Sequence, residues 1–306
     1  MRLVTFQHPA DGSGAPRLGA IDPAADQIVD FTVAAPDLPR DMIGLIELGG
    51  EGLEMAAEAV AGAGVGSGGE ARIDVAAARL LAPIPRPRRD LLAVGRNYHD
   101  HAREFHDSGF DATSGAEAVP EYPIIFTKAT TSVIGPGDPI LSDLDPTGSV
   151  DYEGELGVVI GGGGRGISKE AALDHVYGYT VINDVTARHL QHRHKQWFIG
   201  KGLDSFCPMG PLILTADEAG DVGQFHLTTR VNGEPSQDAK VADLIFDIPT
   251  LICSISAGIT LIPGDIIATG TPVGVGIGFD PPIFLGSGDV VSITIDPIGT
   301  LENPVV

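Results

Sequence analysis

The chain has 306 residues, long enough for one large domain plus a smaller one and for a substantial core without disulfides or structural metals. Lys and Arg total 19 against 41 Asp and Glu, and the net charge of -22 argues against a phosphate backbone or an anionic membrane surface as partner. An anionic substrate would have to be drawn in by a local positive centre, which a bound dication would supply.

Residues 1–83 read as a small N-terminal α/β domain. The short strands LVTF, RLGAIDP and QIVDF precede Ala-rich helical stretches at 42–63 and 73–80. The opening MRLVTFQHPADG has neither the basic region nor the apolar stretch of a signal peptide, so a cytoplasmic protein is expected. The Gly/Ser stretch at 62–69 could pass for a linker, but PIPRPRR at 83–89 is the better boundary, because its prolines force an extended path.

From residue 90 to 306 the pattern changes to short β-branched runs separated by Gly and Pro. The expected fold class is α+β, mostly β: a barrel, roll or sandwich with a few inserted helices. Gly161 and Gly164 bound a hairpin turn on this reading. Ile248, Leu251, Ile252 and Ile255 fall at i, i+3, i+4 and i+7, so 249–257 is a core-facing helix with Pro249 in its first turn. Asp247 and Pro249 interrupt the longest apolar candidate, 244–262, which therefore falls short of a membrane span of about 20 apolar residues. Cys207 and Cys253 sit among apolar residues and read as buried thiols in a reducing compartment.

The chemistry concentrates in DYEGELGVVI at 151–160. On a strand, Glu153 and Glu155 point to one face. Two carboxylates flanked by apolar residues repel and lose solvation, and a hard dication that prefers oxygen ligands compensates both. The alternative is the solvated face of an edge strand. A third carboxylate, Asp184, ends the strand-like VYGYTVIND and precedes the helix-like TARHLQHRHKQW. It could be delivered there to a site, or serve as a plain helix N-cap.

These segments resemble the fumarylacetoacetate hydrolase family. The resemblance rests on GRNYHDHAREF, PIIFTK, DYEGELGVVIG, INDVTAR, GKGLDSFCPMGP, RVNGE and IATGTPVGVG, in the family's order across residues 91–306. It implies a mixed β-roll catalytic domain and a homodimer as the minimal assembly. It also implies one Mg²⁺ or Mn²⁺ per subunit held by Glu153, Glu155 and Asp184. His101 and Glu104, three apart on a helix-like segment, share a face, so Glu104 can orient an imidazole acting as base; a surface ion pair is the alternative. The family carries this pair on a mobile lid, and the acidic, glycine-dotted stretch 107–121 suits one.

By the same resemblance Lys201, framed by glycines in FIGKGLD, reaches the metal site and acts in catalysis. Arg188, Gln191, Thr271 and Lys128 take substrate-binding positions. The family usually has aspartate where this chain has His189, a departure that bears on the surroundings of the metal ligands. His189, His192 and His194 do not share a helix face and read as exposed or interface groups. The glycines of 270–278 are followed by Pro281 and Pro282 instead of a helix, which argues against a dinucleotide-binding turn.

The resulting reading is a metal-dependent hydrolase that cleaves a C–C bond in a small 2,4-dioxo acid, with His101 and Glu104 activating water. An oxaloacetate decarboxylase or keto–enol tautomerase using the same site is the alternative. A catalytically silent metal-binding protein is the rival from another class.

Overall fold

Three short strands with continuously buried stretches start the N-terminal unit: β1 (Arg2–Gln7), β2 (Pro16–Asp22) and β3 (Gln27–Asp30) pair as an antiparallel meander. The computed structural model describes residues 1–10, 12, 14–63, 71–111 and 117–306. Most of the 62–69 stretch and residues 112–116 of the 107–121 stretch lie outside the described residues.

One turn of helix, α1 (Phe31–Ala34), follows β3. The helix expected over 42–63 is two, α2 (Met42–Glu47) and α3 (Gly49–Gly62), because Gly49 adopts a left-handed φ of 57° at the junction. Residues 73–80 are not helical. They form β4 (Arg72–Asp74), a single tight turn and β5 (Arg79–Leu80), which pair with β3 and β1. Open strand edges and the burial of Ile73 outweigh the helix propensity of Ala76 and Ala77.

The remainder carries β6 (Leu91–Gly95), α4 (His99–Asp107), β7 (Ile124–Lys128), β8 (Val133–Ile134), β9 (Val150–Asp151), β10 (Gly154–Ile160), β11 (Val176–Asn183) and β12 (Thr186–Ala187). Then come α5 (Arg188–His194), α6 (Phe198–Lys201), β13 (Cys207–Thr215), α7 (Ala216–Ala219), β14 (His226–Val231) and β15 (Glu234–Lys240). The chain ends in α8 (Ile248–Ser256), β16 (Ile266–Ala268), β17 (Val290–Asp296) and β18 (Gly299–Pro304). Helix α8 forms as expected. Asp247 caps it by accepting from Thr250 N, and Ile248, Leu251, Ile252 and Ile255 are buried. Gly161 and Gly164 do lie between the antiparallel strands β10 and β11, but in a connection that runs to His175 rather than in a tight turn.

A 12-stranded mixed sheet runs β4-β3-β2-β1-β13-β11-β10-β16-β6-β7, with β5 on β1 and β8 on β13. β16–β6 and β13–β8 are its parallel pairs. The N-terminal strands therefore extend the same sheet: β1 pairs with β13 through Arg2–Leu214 and Leu3–Ile213. A four-stranded antiparallel sheet, β15-β14-β17-β18, packs across it. Leu156, Val158 and Val181 of the large sheet meet Leu227, Ile293 and Leu301 of the small one in a shared core. The opposite face is covered by the N-terminal helices through Phe31, Met42, Leu45 and Ile46. This is the mostly β architecture with few helices that the run pattern implies. Among the described residues no helix is long and apolar enough to cross a membrane.

Candidate active site

The register of β10 against β11 brings the three acidic residues together. Gly154 pairs with Asn183 and Glu155 with Ile182. Just past that pairing, Asp184 N donates to Glu153 O at 2.8 Å, and Glu153 N donates to Asn183 Oδ1 at 3.0 Å. One oxygen from each of Glu153, Glu155 and Asp184 lies within 4.8 Å of the others, and all three residues are buried. The edge-strand alternative fails, because β10 sits between β11 and β16 with all seven of its residues buried. Asp184 is no helix cap either: β12 intervenes, and α5 starts after Ala187, which makes no side-chain cap bond.

Three buried cations answer these charges. Lys201 Nζ lies 2.7 Å from Glu153 Oε2 and 2.6 Å from Asp184 Oδ2. Arg188 places Nε 2.8 Å from Asp151 Oδ2 and Nη1 2.7 Å from Glu153 Oε1. Lys128 Nζ sits 2.6 Å from Asp184 Oδ1. Burial pulls the Lys201 ammonium down, but Asp184 and Glu153 push it further up, so it remains a fixed positive charge and is unsuited to act as a base. Burial raises Glu153, yet Lys201 and Arg188 outweigh it and hold its carboxyl far below the usual range. Glu155 is the reverse. Burial, then Asp184 and Glu153, push it well above the carboxylate range, against Lys201 and one hydrogen bond from Gly270 N at 2.8 Å.

This donor set fits a hard dication. Three convergent buried carboxylates are its preferred ligands, and the ionised form of Glu155, which the protein's own cations leave poorly compensated, is the one a bound dication would favour. Asp184 Oδ1 is buried without a hydrogen bond, its approach to Lys128 being an ion pair outside hydrogen-bonding direction.

Beside the carboxylates a narrow cavity encloses about 270 Å³ of space including its mouth, lined by Glu153, Glu155, Arg188, Gln191, Lys201, Thr271, His101 and Arg96, with Phe105, Phe126 and Trp197 as an apolar wall. The His101–Glu104 pair is present as expected and is not a surface pair. His101 is 4% exposed, and its Nδ1 lies 3.0 Å from Glu104 Oε2. Glu104 is itself clamped, its Oε1 accepting from Gly274 N at 3.0 Å. A carboxylate on Nδ1 fixes the tautomer and leaves the other ring nitrogen as the proton-accepting atom.

The remaining expected residues divide. Arg188 and Gln191 line the cavity, linked by Nη1 to Oε1 at 3.4 Å, and Arg188 Nη2 is a buried donor without a partner. Thr271 lines it too, but its hydroxyl donates to Gly154 O at 3.0 Å and accepts from Gln237 Nε2 at 2.7 Å. Lys128 does not line the cavity. Its ammonium, fully buried, faces Asp184, Val185 O and Lys201 O, so it braces the site from behind instead of meeting substrate. His189, His192 and His194 are exposed, and His189 stacks against Phe110 and Phe284. The glycines around Lys201 have a packing cause: a Cβ on Gly200 would sit 2.6 Å from Gln191 N, so α5 and α6 could not approach.

Sequence reading missed Asp151, Arg96 and the aromatic wall. Asp151 accepts from Arg188 Nε, from Gly276 N at 2.7 Å and from Ile277 N at 3.2 Å, tying the arginine to the glycine-rich loop. A carboxylate two residues before Glu153 was a visible signal for an anchored arginine. Nothing local marked Arg96.

A mixed β roll with a buried Glu-Glu-Asp cluster that could hold a metal ion, beside an imidazole–carboxylate pair, is the arrangement of an enzyme site. The model described as fumarylacetoacetate (FAA) hydrolase C-terminal matches residues 90–306, and the chain belongs to the fumarylacetoacetate hydrolase family. It is similar to the oxaloacetate tautomerase YisK of Bacillus subtilis, 53% identical over 74% of this chain and 73% of the relative. It is 39% identical to the mitochondrial oxaloacetate tautomerase fahd2 of Xenopus laevis over 100% of this chain and 90% of that one. Among solved structures, maleylpyruvate hydrolase from Sphingobium sp. SYK-6, in complex with manganese(II) and pyruvate, superposes with a TM-score of 0.76 at 32% identity, covering 100% of this chain and 99% of that one.

Proposed function

We propose that the protein interconverts the keto and enol forms of oxaloacetate, moving one proton between C3 and the 2-oxo oxygen. The observation that carries this reading is the buried His101–Glu104 pair facing the cavity beside Glu153, Glu155 and Asp184. The likeness to two relatives named oxaloacetate tautomerase supports the choice of reaction over hydrolysis.

Mg²⁺ or Mn²⁺ held by Glu153, Glu155 and Asp184 would supply Lewis acidity toward the 2-oxo acid. The protein's own groups do the rest. His101, oriented by Glu104, takes a proton from C3 and returns it either to C3 or to the oxygen. Lys201, held charged by Asp184 and Glu153, stabilises negative charge as it develops. Arg188 Nη2, a buried donor without a partner, is free to donate a hydrogen bond to the substrate carboxylate. Phe105, Phe126 and Trp197 keep that region dry, which strengthens each of these charges.

A second reading, hydrolysis of a 2,4-dioxo acid such as an acylpyruvate, is favoured by the likeness to a maleylpyruvate hydrolase. In it the same imidazole activates water. A homodimer accompanies either reading. Incubating the Mn²⁺-loaded protein with oxaloacetate and with an acylpyruvate, and following enol absorbance, CO₂ release and acid production, separates them. Enol–keto conversion far faster than CO₂ release or acylpyruvate cleavage supports the tautomerase; dominant cleavage supports the hydrolase.

A further inference from the structure

Gly154 joins the two glutamates of the acidic cluster, so whatever holds its peptide groups sets how Glu153 and Glu155 stand to one another. On one side it pairs with Asn183 of β11. On the other, β16 runs beside β10 only at Gly157, Val158 and Val159, and the edge at Gly154 is completed by side chains. Gly154 N donates to Gln237 Oε1 at 3.0 Å, and Gly154 O accepts from Thr271 Oγ1 at 3.0 Å. Both partners matter, because a buried peptide group left unpaired is costly.

Gln237 comes from β15, the edge strand of the small sheet, and is 2% exposed. A glutamine amide offers two N–H donors and an oxygen with two lone pairs, and all four are used here. Oε1 also accepts from Thr229 Oγ1 at 2.8 Å, while Nε2 donates to Thr271 Oγ1 at 2.7 Å and to Pro272 O at 2.8 Å. The set admits one orientation of the amide, since turning it over would aim an N–H group at the N–H of Gly154. Gly154, Gln237 and Thr271 thus close a ring of three hydrogen bonds in which each member both donates and accepts. An apolar side chain would fill the same space at lower cost in buried polarity, so the bonds are what glutamine adds. The small sheet also comes too close for any other residue at 154: a Cβ there would lie 2.5 Å from Thr229 Oγ1.

We infer that Gln237 is a positioning residue for the metal site. It does not line the cavity, yet through the ring it fixes the peptide between Glu153 and Glu155, so the small sheet takes part in holding the dication. The inference rests on the proposed function only for a dication at the three carboxylates, and it is independent of which 2-oxo acid reacts.

The test is Mn²⁺ binding by the full chain, measured by titration calorimetry and by the EPR spectrum of the bound ion, below the melting temperature of every variant. Gln237→Met keeps the bulk without the bonds. Gln237→Asn keeps an amide one methylene too short to reach Gly154, and Gln237→Glu keeps the reach and the acceptor oxygen. Ile295→Ala, in the shared core two strands from β15, controls for destabilisation alone. Mn²⁺ should bind about 10- to 100-fold more weakly to the Met and Asn variants, with an altered EPR spectrum, and Gln237→Glu should recover most of the affinity. Ile295→Ala should melt lower but bind Mn²⁺ as wild type does. If Gln237→Met does not fold, Gln237→Asn decides alone. Wild-type affinity and spectrum in Gln237→Asn, or an equal loss in Ile295→Ala, overturns the inference. A wild type that binds Mn²⁺ without converting oxaloacetate sinks the tautomerase reading, and the affinities then still decide the role of Gln237; a wild type that binds no Mn²⁺ removes the metal site and the inference with it.

Discussion

Lys201 Nζ lies 2.6 Å from Asp184 Oδ2, with both side chains sealed from solvent. The ammonium thus occupies one flank of the cage in which a dication would sit. The two cations compete for the same carboxylates, yet both are needed for a charge that develops on substrate.

Removing Lys201 and removing Glu155 should therefore have opposite effects on metal. Lys201→Met leaves the cage more negative and should bind Mn²⁺ at least as tightly as wild type, while turnover drops on the order of 100-fold or more. Without metal this variant should be less stable by about 3–5 kcal/mol, because Glu153 and Asp184 lose a buried partner. Glu155→Ala should lose Mn²⁺ binding, but its metal-free form should not be destabilised by charge loss, since Glu155 is repelled by Asp184 and Glu153. Mn²⁺ titration and thermal melts with and without metal check both. Retained Mn²⁺ affinity in Glu155→Ala would count against the three-carboxylate site.

Two glycines of the 270–278 loop, Gly278 against Glu104 and Gly276 against Ile283 O, should separate stability from activity. A Cβ on Gly278 would lie 1.9 Å from Glu104 Oε1, the far end of a side chain that can move. Gly278→Ala should leave the melting temperature near wild type but push Glu104 off His101, lowering turnover about tenfold or more. A Cβ on Gly276 would meet Ile283 O at 2.1 Å, and backbone cannot move aside cheaply. Gly276→Ala should lower stability itself by about 1–3 kcal/mol. A thermal melt and one rate on each variant suffice, and similar outcomes for the two would refute the distinction.

Acid should loosen the start of α5 through Asp145. Burial raises this carboxyl, but bonds from Thr147 and Ser149 outweigh it and hold it below its ordinary value. Its Oδ2 accepts from Ser149 N and Ser149 Oγ, both at 2.8 Å, and Ser149 O in turn accepts from Arg188 N at 3.0 Å. A carboxyl lower in the folded than in the unfolded state stabilises above its unfolded pKa of about 4 and loses that contribution as pH falls through its folded value. Asp145→Asn should lower the urea midpoint at pH 7. The gap to wild type should narrow below about pH 4. A gap that does not change with pH would rule the linkage out.

Much of the site was legible because it lies on local patterns. Glu153 and Glu155 declared themselves by strand alternation and Asp184 by its place at a strand end, although Glu153 in fact precedes β10 and the convergence depends on the β10–β11 register. The His101–Glu104 spacing gave their hydrogen bond directly. What failed was long-range. Residues 73–80 look helical by composition but are recruited by β3 and β1 as strands, and the union of β1 with β13 has no local signature. Lys128 could not be told from a substrate contact, because only the packing of β7 behind Asp184 turns it away from the cavity. Arg96 was hidden for the same reason: its orientation comes from a positive φ imposed by the bonds of Asn97 to Phe246 and Thr269.

In the proposed reaction His101 moves the C3 proton of a 2-oxo acid held beside Glu153, Glu155 and Asp184. Its most direct test is the rate of enol-to-keto conversion of oxaloacetate by Mn²⁺-loaded wild type and His101→Ala, with Mn²⁺ affinity measured on the same samples. The two proteins should show matching Mn²⁺ affinity, with a rate lower by about 10² to 10⁴ in the variant. Undiminished conversion by His101→Ala would contradict this role of His101.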